Sequence, residues 1–148
     1  MDYLKRYIIM LFFWSILFIP VILVEEGSGD TDDCVNIYYF HGASRCANCY
    51  KIEEYTKEAA EKFFEKELVS GRLVYMAINI DEKENSHFIK DYQLCSKSVV
   101  LSMVKGGKEV EYKELEKIWG YIGDKERFLN YIKEEVNEFL NFKEKAVK

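Results

Sequence analysis

The sequence predicts an α/β domain, a three-layer α/β/α sandwich in the order β-α-β-α-β-β-α, behind an N-terminal transmembrane helix. Three observations carry this. Two short apolar runs, residues 35–40 and 73–80, are separated by a long helical periodicity, so the strands they form must run parallel through a crossover helix. Two further runs, 98–104 and 109–112, flank Lys105-Gly106-Gly107-Lys108, which reads as a hairpin. Ahead of all of them, residues 7–24 form an apolar run broken only by Ser15 and Pro20.

As a helix, residues 7–24 would extend about 27 Å, against a hydrocarbon core of roughly 30 Å. Lys5 and Arg6 precede the run and Glu25, Glu26 and Asp30 follow it. The positive-inside bias then places the first residues in the cytoplasm and the domain outside, as a single-pass protein of the cell membrane. The rival reading is a cleaved signal peptide with Gly27-Ser28-Gly29 as its small-residue site. Under either reading the domain occupies a compartment where disulfides persist. Residues 1–24 are thus an anchor or signal segment, 25–34 a linker rich in Gly, Ser and acids, and 35–148 the folded domain.

Within the domain, residues 35–40 are β-branched and aromatic and end at Gly42, as expected of a strand buried on both faces. From 49 to 68, Ile52, Tyr55 or Thr56, Ala59, Phe63 and Leu68 recur at helical spacing, and Ser70-Gly71 stops the helix. After the second strand, Asn85 or Ser86 can cap a short helix running to Tyr92. The hairpin follows, then a short helical piece over 115–121. Asp124 can cap a last amphipathic helix with Phe128, Ile132, Val136 and Phe139 on one face. Helices are expected on both faces of the sheet. The chain of 148 residues is 49% hydrophobic, enough for one domain with a core. Its net charge of −5 and lack of a basic patch argue against nucleic acid as a partner.

Cys46-Ala47-Asn48-Cys49 lies between the first strand and its crossover helix, the setting in which Cys-x-x-Cys is a redox motif. Residues three apart in a first helical turn come within disulfide range, so the pair can close and open without moving the fold. Cys46, at the helix start, meets unpaired backbone N–H groups, and Arg45 adds a charge beside it; both favour the thiolate. Cys46 is therefore the expected nucleophile and Cys49 the thiol that resolves the mixed disulfide.

These residues carry a resemblance. The strand, Phe40-His41-Gly42, the Cys-x-x-Cys, the helix and the β-α-β-β-α remainder resemble the thioredoxin fold from Val35 to about Leu140. More narrowly, Tyr38 to Gly42, Arg45 to Cys49, Lys51-Ile52-Glu53, His87 to Tyr92 and Lys97 to Val100 resemble the thioredoxin-like family of nitrophenyl-compound nitroreductase ArsF subunits. No flavin or nicotinamide fingerprint accompanies them, so no cofactor is expected and the visible chemistry is that of a dithiol. The chain departs from thioredoxins in having Ala47-Asn48 where they have Gly-Pro and Arg45 where they have Trp. Ser98 falls where that family has a cis-proline facing the dithiol, and Pro20 is this chain's only proline. Phe40 falls where they have a buried acid, leaving His41 as the nearest titratable group to relay the proton of Cys49.

Each site residue also has a bland reading. The Cys46/Cys49 pair could be a static disulfide or half a zinc site, His41 a hydrogen-bonded strand residue, and His87 a surface helix residue. A Cys34 to Cys95 bridge is disfavoured, because a strand of six residues, about 20 Å, separates them. Cys95 is left as a candidate accessory thiol and Cys34 as unpaired or intermolecular, with inert thiols the favoured reading for both. The function expected is extracytoplasmic thiol–disulfide exchange with protein thiols or disulfides, with electrons drawn from a polytopic membrane reductase if the protein acts as a reductant. The alternatives are a metal-binding or metal-transfer module using the same cysteines with His41 or His87, and a non-catalytic subunit of a redox complex.

Overall fold

A computed structural model of the protein describes residues 33–145. The proposed anchor, its signal-peptide alternative and all but the end of the linker lie outside them. Among the described residues no helix is long and apolar enough to cross a membrane.

Strand β1 (Cys34–His41) leads through helix α1 (Ala47–Phe63) and the short α2 (Glu65–Val69) into β2 (Leu73–Asn79). A 3-10 turn and helix α3 (His87–Asp91) precede β3 (Ser98–Lys105) and β4 (Lys108–Glu114), and α4 (Ile118–Tyr121) and α5 (Lys125–Lys145) end the described chain. The sheet has four strands in the order β2-β1-β3-β4. β1 pairs parallel with β2, Val35 opposite Leu73, and antiparallel with β3, Tyr38 opposite Val100. β3 and β4 close the hairpin. This is the thioredoxin-like arrangement the resemblance implied, a mixed sheet with helices on it.

Strand alternation sorts β1 and β3 between two cores. Val35, Ile37 and Tyr39 of β1 and Val99, Leu101 and Met103 of β3 face the larger core, which α1 and α5 close with Ile52, Ala59, Phe128, Ile132 and Val136. Phe40 and Val100 face the opposite way, toward Tyr92 and Leu94, with Tyr38 and Phe88 packed alongside. Helices do stand on both faces, but the second is covered by only the five residues of α3 and the segment after it.

Two expectations are corrected. The helix expected to run unbroken to Leu68 is interrupted at Phe64, whose backbone leaves helical geometry (φ −135, ψ 30) while its side chain is buried in the larger core. The break is confined to that one residue, and α2 restarts at Glu65. Ser86 occupies the N-cap position of α3, but its hydroxyl donates to the Lys83 carbonyl and caps nothing. The cap at Asp124 forms as expected: its carboxylate accepts from the Arg127 N–H at 3.1 Å.

Candidate active site

Between β1 and α1 a five-residue loop, 42–46, turns the chain and presents the dithiol. Gly42 opens it. A Cβ there would lie 2.9 Å from Asp81 Oδ2, and that same oxygen accepts the Ala43 N–H at 2.7 Å. The Asp81 carboxylate, just beyond β2, therefore fixes the loop, and glycine is needed to let it in.

Cys46 is the N-cap of α1, in extended geometry (φ −98, ψ 170) one residue before the helix begins. It is exposed, whereas Cys49, in the first turn, is completely buried. Their sulfurs stand 2.7 Å apart, so disulfide closure needs an approach of about 0.7 Å. The Cys46 N–H donates to Cys49 Sγ at 3.1 Å, while the Cys49 N–H turns back to the Cys46 side chain, so two thiols form a reciprocal capping box. The consequence is electrostatic. The Cys49 thiol first, then the N–H groups of Cys49, Asn48 and Cys46, hold the Cys46 thiol below the ordinary thiol range, against an opposing desolvation penalty. All four cysteines are thiols, and no bridge joins Cys34 to Cys95.

Arg45 is engaged along α1. Its guanidinium pairs with Glu53, two turns into α1, and lies 4.4 Å over the ring of Tyr50 and 5.8 Å from that of Tyr39. The groups lowering Cys46 do not include it. Its charge is answered by Glu53, so Arg45 fastens the loop to the helix. Ala47 and Asn48 form the exposed first residues of α1, between the two cysteines.

His41 ends β1 on the same face as Tyr39, the ring centroids 5.6 Å apart. Its Nδ1 lies 3.0 Å from the Gly42 carbonyl, which can only accept, so Nδ1 carries the proton and Nε2 is the available base. Ser98 begins β3 opposite Phe40 and is buried. Its hydroxyl is taken up by the Ser96 carbonyl at 3.2 Å and by the Glu114 carboxylate. No peptide bond among the described residues is cis. Cys95 is exposed in the loop before β3, on the wall of a cavity of about 250 Å3 that also includes Gly42, Ser44 and Asp81. Cys34 is at the far end of β1, its thiol 3.6 Å from Asn36 Oδ1. His87 is exposed, paired with Asp91 at 2.7 Å. Among the described residues no group of three or more His, Cys, Asp and Glu could hold a metal ion.

Sequence reasoning missed Tyr39. It is completely buried, and its hydroxyl donates to the Cys49 carbonyl at 2.8 Å, tying the first turn of α1 to the central strand. Burial pushes its phenol up to about 12, with the Arg45 guanidinium pulling the other way. The available signal was a tyrosine in the most buried strand, whose hydroxyl had to find a partner. Glu53 and Asp81 were missed as well, since their partners lie eight and 38 residues away.

No protein-family model matches the sequence, and no curated protein is significantly similar to it. Solved structures similar to it include thioredoxin O2 from Arabidopsis thaliana in the oxidized state, 21% identical, covering 55% of this chain and 63% of that one, with a TM-score of 0.37. The chain thus spans just under two thirds of that protein. Chloroplastic thioredoxin z is 19% identical over 68% of this chain and 82% of its own, TM-score 0.37. Fasciola hepatica thioredoxin is 18% identical over 63% and 82%, TM-score 0.37. What defines the fold here is the chain's own strand order and register, with a Cys-x-x-Cys at the N-terminus of the helix that follows the central strand.

Proposed function

We propose that the protein is a membrane-anchored, extracytoplasmic thiol–disulfide oxidoreductase acting on protein thiols or disulfides through Cys46 and Cys49. The observation that carries this reading is the asymmetry of the pair: an exposed thiol of lowered pKa, 2.7 Å from a buried one that hydrogen-bonds it. In the reducing direction the Cys46 thiolate attacks one sulfur of a client disulfide. A Cys46–client bond forms, the client S–S bond breaks and one client thiolate leaves. Cys49, once deprotonated, attacks Cys46 Sγ, which closes the Cys46–Cys49 disulfide and expels the second client thiolate. Two electrons pass to the client, and a polytopic membrane reductase would restore them. Run backwards, the same steps oxidise a client dithiol.

The finer resemblance to the nitrophenyl-compound nitroreductase ArsF subunits fits such a module serving a larger redox system, with the dithiol as its own contribution. The apolar run at residues 7–24, with Lys5 and Arg6 before it, supports the anchor and its orientation.

The test is trapping. Full-length Cys49→Ser, expressed with its anchor and quenched in acid, should accumulate mixed disulfides on non-reducing gels, and Cys46→Ser should accumulate almost none. Equal adducts from both variants would overturn the assignment of the nucleophile, and none from either would overturn the reading itself. A phosphatase reporter fused after Lys148 should be active; an inactive one would overturn the orientation.

A further inference from the structure

The two edges of the sheet differ in a way the fold does not require. β4, at one edge, carries Lys108, Glu109, Glu111, Lys113 and Glu114 in seven residues. Charges of this density keep an open strand edge from pairing. β2, at the other edge, reads Leu-Val-Tyr-Met-Ala-Ile-Asn and carries no charge. Its outer flank pairs with no strand among the described residues. Met76, at its midpoint, is 36% exposed, and a concavity of about 520 Å3 lies over the sheet beside it, lined by Tyr38, Met76, Ile78 and Phe88 and, toward the end of the strand, by His41, Asn79, Glu82 and Asn85.

We propose that this flank is a seam between two copies of the chain, which pair antiparallel through β2 about a two-fold axis at Met76. A two-fold seam must complement itself, and β2 does so in three ways. About Met76, Val74 falls opposite Ile78, apolar against apolar, on the sheet face that carries Phe40. Tyr75 falls opposite Ala77, large against small, on the face that carries Tyr39. One residue beyond the strand, Arg72 falls opposite Ile80, beside Asp81 and Glu82 of the other copy, and symmetry makes this complementary charge contact twice. Parallel pairing in register would instead set Arg72 against Arg72 and Asp81 against Asp81. The charges therefore select the arrangement that closes as a dimer over one that does not. The chain carries a net charge of −5, so two copies repel over most of their surfaces, and β2 offers a contact free of that repulsion. The rival occupant from this chain, residues 25–33, is Gly-, Ser- and acid-rich and has no apolar alternation to match Val74, Met76 and Ile78.

The experiment uses the full-length chain in mild detergent. Sedimentation of the unaltered protein should give twice the mass of one chain, and Met76→Lys, which places two lysines at the axis, should halve it with the far-UV circular dichroism unchanged, while the thermal midpoint loses its dependence on protein concentration. In a background with the four native cysteines changed to serine, Met76→Cys should form a same-residue disulfide dimer under mild oxidation, because directly opposed Cβ atoms lie within bridging range. Val69→Cys, 84% exposed and outside the seam, should stay uncrosslinked in that background. A monomeric unaltered protein overturns the proposal, whether or not the cysteine variants fold. So does a monomer whose β2 amides resist hydrogen exchange, which would give the flank to residues of the same chain, and so does protection that appears only on adding a disulfide-bearing client. None of these measurements reads dithiol chemistry, so the proposal stands or falls apart from the proposed function.

Discussion

Changing Tyr39 to Phe removes one oxygen and keeps the ring that fills the core. That oxygen donates to the Cys49 carbonyl at 2.8 Å from a position with no solvent exposure. A net hydrogen bond of this kind contributes about 1 kcal/mol, and the carbonyl keeps its place in the helix ladder, so no orphaned acceptor adds to the loss. The expected destabilisation is about 1 kcal/mol, read as a lower urea midpoint at unchanged slope. If the hydroxyl also sets where Cys49 stands, the loss falls on ring closure. The equilibrium constant for closing Cys46–Cys49 against glutathione should then drop by up to about fivefold. The alkylation rate of Cys46 should fall by no more than this factor, because the groups that stabilise its thiolate are loosened by the substitution and not removed. An unchanged urea midpoint would refute the hydrogen-bond reasoning. A lower midpoint with an unchanged closure constant would reduce Tyr39 to a packing residue.

Cys46 should alkylate readily below the ordinary thiol range and lose reactivity as pH falls through its lowered pKa, where the stability its thiolate gives the folded state is lost too; Cys49→Ala, which leaves no side-chain donor, should move that midpoint upward, because the Cys49 thiol is the largest cause of the lowering. The midpoint should not move with added salt, since neutral hydrogen-bond donors are not screened; a marked rise would restore Arg45 to the role expected of it. Tyr39, Tyr75 and Tyr131 are held protonated up to about 12, so stability should decline as pH rises from 10, where unfolded tyrosines ionise, to 12; phenolate absorbance appearing before unfolding would contradict this. Gly42→Ala should cost about 1 kcal/mol by displacing Asp81 from the Ala43 N–H, and should add little in an Asp81→Ala background; full additivity in chemical denaturation would break the link.

The strands were legible to within two residues because each is an apolar run closed by polar or glycine punctuation. The hairpin was legible for a sharper reason: Gly106 and Gly107 both have positive φ, +55 and +73, which few other residues tolerate, so their adjacency was a statement about backbone geometry. The break at Phe64 was not legible. Phe63, Phe64 and Leu68 keep helical spacing straight through it, and what ends the helix is the space the larger core offers the Phe64 ring. The cap of α3 failed similarly. Ser86 has the right type at the right place, but a preceding 3-10 turn presents the Lys83 carbonyl first, and the hydroxyl takes it.

The site divides along the same line. Cys46 and Cys49 could be read because both sulfurs belong to one helical turn, whose geometry the spacing dictates. Arg45 could be read only as a neighbour in sequence, and sequence neighbours around a helix N-cap diverge. Cys46 turns its thiol onto the first turn, while Arg45 runs along α1 to Glu53 and lies across Tyr50. A guanidinium already answered by a carboxylate has little field left for a thiolate in solvent, so the lowering of Cys46 falls to the second thiol and three backbone N–H groups. Those donors are preorganised only while the first turn is held, and the holding comes from β1 through Tyr39 and from the end of β2 through Asp81. The reactivity of an exposed cysteine thus depends on a buried phenol and a distant carboxylate, contacts that exist only once the strands have paired.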